Sequence, residues 1–208
     1  MEILFRIRNN MRMSRGTADE ETTGRKSTMA RLKVLTFPNP LLAQVSQPVT
    51  EFGPELEKLS QDMLETMYEE NGIGLAAPQV GQLRRMVVVD VGGEQEEEAL
   101  EGDLPPDRPP DPHVYINPVI LEKAGETTTE EGCLSVIEFT AQVKRAEQIV
   151  LTYQDLKGKE HRVELDGLHA VCVQHELDHL EGKLFIDHLP PIKRQMVRKR
   201  LAKLGRTA

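Results

Sequence analysis

The segment His175-Glu176-Leu177-Asp178-His179 places the strongest constraint on how this chain folds. Two histidines four residues apart project from one face of an α-helix, about 6 Å apart along its axis, and can share a metal ion. Glu176 stands beside the first histidine, where its carboxylate reaches a metal-bound water without ligating the metal. The pattern predicts a helix over 167–180 that carries a catalytic metal site. The alternative is two satisfied histidines on an ordinary helix.

A catalytic site of this kind needs a third protein ligand. One class of metalloprotease extends the motif to H-E-x-x-H-x-x-G-x-x-H, and this chain matches as far as Gly182 but has Phe185 where the third histidine belongs. The acids after the motif are Glu181, which is too close in sequence to fold back, and Asp187. The third ligand is therefore expected upstream, where the candidates are the acids and His113, His161, His169, Cys133 and Cys172.

Cys133 is the favoured third ligand. It lies in Glu131-Gly132-Cys133-Leu134-Ser135, a small-residue turn into a short apolar strand, and Gly132 allows the backbone to approach a ligand closely. Cys172 lies on the same predicted helix as the two histidines, so it is expected to line the pocket and not to ligate. For either cysteine the alternative is inert packing, because a free buried cysteine more often has that role.

A glycine-rich segment, Gly72-Ile73-Gly74-Leu75-Ala76-Ala77-Pro78-Gln79, lacks the spacing and the lysine of a phosphate-binding loop. Its small residues suit close backbone approach by an extended peptide, and Gln79 offers an amide donor. A tight connection from a helix to a strand explains the segment equally well.

The whole chain predicts an α+β domain. With 208 residues, 38% of them apolar and 29% charged, it has the size and composition of one soluble domain. Periodicity predicts helices at 54–71, 167–180 and 192–204, an extended piece at 34–38, strands at 86–91 and 115–121, and a hairpin in which 149–153 faces 163–165. Helices and antiparallel-type hairpins in mixed order indicate antiparallel or mixed sheets around a central metal-binding helix, with a C-terminal helix.

Two segments are expected to lie outside the folded core. Residues 1–28 lack apolar periodicity and are interpreted as a disordered or dispensable N-terminal extension, which leaves 29–208 as the catalytic domain. Residues 92–113 contain five prolines and eight acids against one arginine, a net charge of −7, and are interpreted as a solvated loop insert. Since the chain's total charge is −8, the remainder is nearly neutral, so no general nucleic-acid-binding surface is expected.

The location expected from the sequence is the cytoplasm. No stretch approaches the roughly 20 apolar residues of a membrane span. The apolar run at 3–5 is too short for a secretory signal and is followed by Arg6 and Arg8. The two cysteines of the chain are then interpreted singly and not as a disulfide.

Taken together, three segments resemble the signature motifs of the peptide deformylases. In order they are Gly72-Ile-Gly-Leu-Ala-Ala-Pro-Gln79, Glu131-Gly-Cys-Leu-Ser135 and Gln174-His-Glu-Leu-Asp-His-Leu-Glu-Gly182, and the resemblance runs from about residue 30 to the C-terminus. It implies a metal-dependent hydrolase that removes the N-formyl group from formyl-methionyl nascent peptides and releases formate.

The resemblance also implies a role for each matching residue. The implied metal ligands are Cys133, His175 and His179, with Glu176 as general acid/base. The side-chain amide of Gln79 and the backbone N–H of Leu134 would stabilise the developing oxyanion. The residues implied to contact the peptide backbone are Ile73, Gly74 and Gly132, and those implied to line an apolar pocket for the methionine side chain are Leu168, Val171 and Cys172.

The metal and the partners are less constrained by the sequence. The general affinity order of divalent metals favours Zn²⁺ over Fe²⁺, whereas the resemblance implies Fe²⁺ as the active metal, with Ni²⁺, Co²⁺ or Zn²⁺ tolerated. The resemblance implies that the basic polar face of the helix at 192–204 contacts ribosomal RNA, whereas the charge pattern alone favours a merely solvated face. No membrane or specific DNA partner is expected.

Two rival functions and two sequence departures accompany this interpretation. The rivals are a zinc endopeptidase of another class and a non-catalytic protein that uses its metal for structure. The insert at 92–113 is longer than the loop usual in the family. Ile137 and Thr140 stand where the family commonly has proline and often arginine, so peptide contacts on that side do not follow from the resemblance.

Overall fold

The computed structural model describes residues 31–92 and 110–204, and in them the α+β prediction is confirmed. The predicted extension at 1–28 and residues 93–109 of the predicted insert lie outside the described residues. The helices are α1 (Pro54–Glu69), α2 (Gly167–Leu180) and α3 (Pro191–Leu204). The strands are β1 (Gly74–Ala76), β2 (Met86–Val89), β3 (His113–Ala124), β4 (Thr127–Cys133), β5 (Val136–Arg145), β6 (Gln148–Gln154) and β7 (Glu160–Asp166).

An antiparallel sheet of five strands, in the order β1-β2-β3-β6-β7, forms one wall of the core. The predicted hairpin is confirmed, with Ile149 opposite Leu165 and Leu151 opposite Val163. The strand predicted at 115–121 extends to His113–Ala124, and the one predicted at 86–91 ends at Val89. The segment predicted as extended at 34–38 belongs neither to this sheet nor to the two-stranded β4–β5 sheet. No helix in the described ranges is long and apolar enough to cross a membrane.

Helix α2 has the predicted bounds and crosses this sheet. Val171 and Cys172 are buried against Val87, Val89 and Leu151 of the sheet, in the largest apolar cluster of the described residues. The helix ends before Gly182, whose φ of +67° favours glycine. A Cβ there would lie 2.7 Å from the carbonyl carbon of Ala43, so only glycine fits this close approach.

Helix α1 begins at Pro54 as predicted but ends at Glu69, two residues before the predicted Asn71. The expected stop at Gly72 is wrong by one position, because Asn71 itself adopts the left-handed conformation (φ +55°) that ends the helix. The N–H of Gly72 then donates to the carbonyl of Met67 at 2.8 Å. Leu56, Met63 and Met67 are buried in a second apolar cluster beneath β1 and β2.

The β4–β5 hairpin is a separate two-stranded sheet that periodicity did not predict. It packs on the segment after α2, where Phe185 and Ile186 are fully buried. Helix α3 begins at Pro191, one residue before the predicted start, and buries Val197 and Leu201 in this third cluster. The C-terminal helix is therefore packed against the same hairpin that leads to Cys133.

Candidate metal centre

Cys133, His175 and His179 converge at one point. Each offers one ligand atom, and these atoms lie within 4.8 Å of one another. The Cys133 Sγ is 3.3 Å from the His179 Nε2, and the two imidazole ring centroids are 5.1 Å apart. Cys133 comes from the end of β4, whereas both histidines come from α2. Within 31–92 and 110–204 no other group of three such residues meets this criterion.

The remaining upstream candidates lie elsewhere. His161 pairs with Asp155 at 2.8 Å on the β6–β7 hairpin. His169 contacts the hydroxyl of Tyr115 at 2.9 Å, and its ring lies 4.9 Å from that of His113. Cys172 is fully buried on α2, and its thiol donates to the Ile73 carbonyl at 3.5 Å. Cys172 is therefore not one of the three converging side chains, and its role in lining an apolar pocket stays a prediction.

The three converging side chains fit a divalent transition metal. One thiolate and two imidazoles are a donor set that Zn²⁺ and similar ions accept. Burial lowers the pKa of His179 to about 3, which keeps its imidazole neutral, as a ligand must be. Burial also opposes a charge on His175, but its contacts with Cys133 and Glu131 raise its pKa, so a metal that binds there would have to displace a proton from this ring. The Nδ1 of His175 contacts the Glu131 Oε2 at 2.8 Å, which fixes the ring and directs Nε2 away from Glu131. The chemistry of these donors therefore agrees with a metal site.

Glu131, Arg145 and Asp178 form a buried ion-pair chain behind His175. Arg145 donates to both carboxylate oxygens of Glu131, at 2.7 and 3.0 Å, and to Asp178 at 2.6 Å. Burial alone would raise the pKa of Glu131, but hydrogen bonds from Arg145 and His175 lower it to about 2. Glu131 is thus ionised while fully buried, and it holds the histidine as a carboxylate partner of a metal ligand does.

The carboxylate of Glu176 occupies the space that a side chain on Gly74 would fill. A Cβ on Gly74 would stand 2.5 Å from the Glu176 Oε1, so the space that glycine leaves is the space the carboxylate uses. Glu176 is buried, and its Oε2 has no hydrogen-bond partner among the described residues. Burial raises its pKa to about 7. A carboxyl group with that pKa can both accept and return a proton near neutral pH.

Gln79 points its amide at the site. Its Oε1 accepts from the Ala76 N–H at 2.7 Å, which fixes the amide so that Nε2 faces the Cys133 Sγ at 3.5 Å and the Ser135 Oγ at 3.2 Å. Leu134 follows Cys133 in the turn between β4 and β5, and its side chain packs over Gly72. Both residues predicted as oxyanion donors therefore flank the cysteine.

The segment predicted as extended at 34–38 joins the two loops of the site. The Leu35 N–H donates to the Gln79 carbonyl at 2.7 Å, and the Phe37 N–H donates to the Ser135 carbonyl at 2.8 Å. These two bonds hold the glycine-rich segment and the cysteine turn at a fixed separation. Sequence analysis assigned this segment no role, and nothing in its composition signals one.

The residues predicted to line an apolar pocket lie close together. Val171 and Cys172 are buried in one apolar cluster, with Leu168 packed against it, and the same cluster contains Ile73, which was predicted to contact the peptide backbone. Gly132 is buried beside Cys133 in β4. At the departures from the family pattern, Ile137 is exposed and the Thr140 hydroxyl donates to the Glu130 carboxylate at 2.7 Å.

Sequence reasoning missed the supporting residues. Glu131 and Asp178 stand inside the motifs that were recognised, but their roles depend on Arg145, which lies 14 residues from the first and 33 from the second. From the sequence, Phe185 is identified only as a residue that cannot ligate a metal at the position of the third histidine. Its ring in fact stacks on His175, with centroids 6.0 Å apart and planes at 25°.

Comparison with known proteins agrees with the geometry. The family model for polypeptide deformylase matches residues 31–195. A peptide deformylase of Tolumonas auensis is 47% identical over 178 residues, which cover 86% of this chain and 98% of the relative. The crystal structure of a peptide deformylase from Legionella pneumophila is 39% identical with a TM-score of 0.72, over 86% of this chain and 97% of that one. A peptide deformylase from Ehrlichia chaffeensis, solved in complex with actinonin, is 34% identical with a TM-score of 0.74, over 86% of this chain and 99% of that one. This chain therefore belongs to the polypeptide deformylase family, metal-dependent hydrolases that remove the N-formyl group from nascent peptides.

Proposed function

We propose that this chain carries out deformylation of formyl-methionyl peptides with a metal held by Cys133, His175 and His179. The observation that carries the assignment is the convergence of these three ligand atoms within 4.8 Å, beside the buried carboxylate of Glu176. A divalent ion bound there would supply Lewis acidity, which lowers the pKa of water and polarises the formyl carbonyl.

Glu176 is the general acid/base of the proposed reaction. Its Oε2 is buried and lacks a partner among the described residues, so it is available to take a proton from the attacking water. With a pKa of about 7 it then returns that proton to the leaving amine of the peptide. The carboxylate is held in place by the wall that Gly74 and Cys172 form.

Gln79 and Leu134 are the proposed oxyanion donors. The Gln79 Nε2 is fixed 3.5 Å from the Cys133 Sγ, and the Leu134 N–H belongs to the next residue after that cysteine. Donors fixed before the reaction stabilise charge that develops on the formyl oxygen without reorganising.

The peptide is proposed to bind along two strand ends. Ile73 and Gly74 lie at the start of β1, an edge strand of the five-stranded sheet, and Gly132 precedes Cys133 at the end of β4. An extended peptide can add to such an edge through its backbone. The methionine side chain is assigned to the apolar cluster that contains Leu168, Val171 and Cys172.

Fe²⁺ is the metal we propose for the working enzyme, with Zn²⁺, Ni²⁺ or Co²⁺ as substitutes in a purified sample. The support is family membership, since a site of one thiolate and two imidazoles accepts all four ions. Metal analysis of protein purified without oxygen, compared with the activity of each reconstituted form, tests this assignment.

The catalytic domain is proposed to span residues 29–208, with 1–28 dispensable, and the match of the family model to 31–195 supports this division. A chain that begins at Met29 should retain full activity.

The cytoplasm is the proposed location, on the basis of the substrate. Fractionation of cells that express the full chain tests it.

A contact between α3 and the ribosome is also proposed. Lys199, Arg200 and Lys203 are exposed on this helix, whereas Val197 and Leu201 are buried, so removal of the helix would expose the third cluster. The sharper test therefore replaces Lys199, Arg200 and Lys203 with glutamine. Ribosome binding should weaken and lose part of its salt dependence, and unchanged binding would refute the contact.

A formate-release assay tests the main proposal. Anaerobic protein loaded with Fe²⁺ or Ni²⁺ should release formate from formyl-Met-Ala-Ser. Glu176→Gln should keep the metal and lose at least ~100-fold in rate, as general acid–base catalysis contributes that much. An endopeptidase would leave this peptide intact and cleave internal bonds, and a protein with a structural metal would bind the ion and melt on chelation without turnover.

A further inference from the structure

We propose that His188 is a positioning residue, which acts on the metal ligand His175 through the buried ion-pair chain. This inference rests on the metal site proposed above. The path begins where the His188 Nε2 meets the Asp178 Oδ2 at 2.6 Å. The same oxygen accepts from Arg145 at 2.6 Å, so His188 and Arg145 share one acceptor.

Side-chain exposure falls from the surface end of this path to its buried end. His188 is 38% exposed, Asp178 18% and Arg145 5%. Glu131 is 0% exposed and His175 is 2% exposed. The path therefore runs from solvent to the metal group through contacting side chains, and the His188 Nε2 also lies 3.5 Å from the Arg145 Nη1. A change at the surface end reaches the ligand without passing through any residue assigned to the peptide.

In this chain of contacts, Asp178 is the residue whose position depends on His188. Its carboxylate is partly exposed, so it has room to turn toward water if only one donor holds it. A turn of that kind would release the Arg145 Nη1, and the guanidinium could then shift against Glu131. Because Glu131 fixes the Nδ1 of His175, its movement changes the direction of the ring nitrogen that faces the metal.

The backbone segment that carries His188 is held in place by its neighbours. It is the last residue of a 3-10 helix, Phe185–His188, in which Phe185 and Ile186 are fully buried. The preceding residue, Asp187, accepts from Arg198 of α3 at 2.6 Å, and its carbonyl accepts from Arg194 at 3.2 Å. Helix α3 thus holds the segment that presents the imidazole to Asp178.

Replacement of His188 with leucine and with glutamine tests the proposal. Leucine removes the donor, whereas the glutamine amide reaches as far as the histidine Nε2 and can donate to Asp178. His161→Leu is the matched control, because His161 makes the same kind of contact with Asp155 at 2.8 Å, and in the described residues no chain of hydrogen bonds leads from that pair to the metal group. The thermal midpoint of each variant is measured alongside.

The readout is the rate at which a chelator removes Co²⁺ from the loaded protein, together with the thiolate-to-cobalt absorption spectrum. Direct partners of metal ligands contribute about 10- to 100-fold in metal affinity. For His188→Leu, three contacts beyond Glu131 on this path, we expect about 10-fold faster metal loss and a shifted spectrum. His188→Gln and His161→Leu should match the wild-type protein, and kcat should fall in His188→Leu with KM unchanged.

Two results would overturn the proposal. Equal rates of metal loss in His188→Leu and wild type would show that the ion-pair chain needs no surface donor. Equally fast loss in His188→Leu and His188→Gln would show that the donated hydrogen bond is not the cause. If leucine prevents folding, His188→Ala takes its place in the same comparison. A wild-type protein that binds no Co²⁺ would instead refute the metal site itself.

Discussion

Gly74→Ala tests whether Glu176 acts from the position that the structure gives it. The added Cβ would stand 2.5 Å from the Glu176 Oε1 and 2.8 Å from the Cys172 Sγ. Non-bonded heavy atoms pack best about 3.5 Å apart, so the carboxylate must recede by about 1 Å. Cys172 is fully buried, so movement of its thiol would disturb the apolar cluster around it. The backbone of residue 74 is not among the positive-φ positions, so alanine adds steric conflict without backbone strain.

A displacement of about 1 Å in a catalytic group costs on the order of 100-fold in rate, or about 2.7 kcal/mol. We therefore expect kcat for deformylation to fall about 100-fold in Gly74→Ala, with one metal per chain retained. Overpacking should also lower the free energy of unfolding by about 1–3 kcal/mol. Gly53→Ala is the control, because a Cβ there would meet nothing within 4 Å.

A second measurement separates this effect from a lost peptide contact. If Gly74 mattered only as backbone for the peptide, alanine would raise KM and leave kcat nearly unchanged. In a Glu176→Gln background the same substitution should cost little, because the proton carrier is already absent. Wild-type kcat in a folded, metal-loaded Gly74→Ala protein would refute both the position and the role assigned to Glu176.

Three further predictions concern the support of the site. Glu131→Gln should weaken metal binding about 10- to 100-fold, measured by competition with a chelator, and should destabilise the fold by up to about 3–5 kcal/mol because the buried Arg145 loses the more deeply buried of its two ionic partners. Phe185→Ala should cost about 3–5 kcal/mol in thermal or denaturant unfolding, since the ring is fully buried, and should speed metal loss because it stacks on His175. Burial lowers the pKa of His169 to about 4 from an ordinary 6.5. The unfolded chain therefore binds that proton first, and the free energy of unfolding should fall between pH 6.5 and 4 by at most ~3 kcal/mol, a slope that His169→Gln should flatten.

The parts of the structure that could be predicted from the sequence are those with a strong local pattern. Helix α2 has its predicted bounds because the spacing of His175 and His179 and the apolar residues before them share one helical period. Sequence reasoning leads to the proposed ligand set because a catalytic metal site needs a third donor, and Cys133 is the favoured one among the upstream candidates. The end of α1 was missed because Asn71 adopts the left-handed conformation that glycine usually supplies.

Strand β4 could not be predicted because the side chains that it buries are polar. Thr129 and Glu131 are buried on β4, whereas β5 buries Ala141 and Val143, so the alternation of apolar and polar residues that identifies a strand is missing from β4. Burial of the Glu131 charge is offset by its pairing with Arg145 of β5, and that pairing is a property of the folded chain. Hydropathy cannot reveal a strand of this kind.

Phe185 shows how the same position can serve two different metal sites. In the extended protease motif this position carries the third ligand, whereas here an aromatic ring stacks on the first ligand and the thiolate comes from β4. A ligand from a separate hairpin needs that hairpin to be held against α2, and the third apolar cluster and the Glu131–Arg145 pair both do so. The missing histidine and the separate hairpin are therefore two consequences of one arrangement, in which the proposed metal would join β4 to α2.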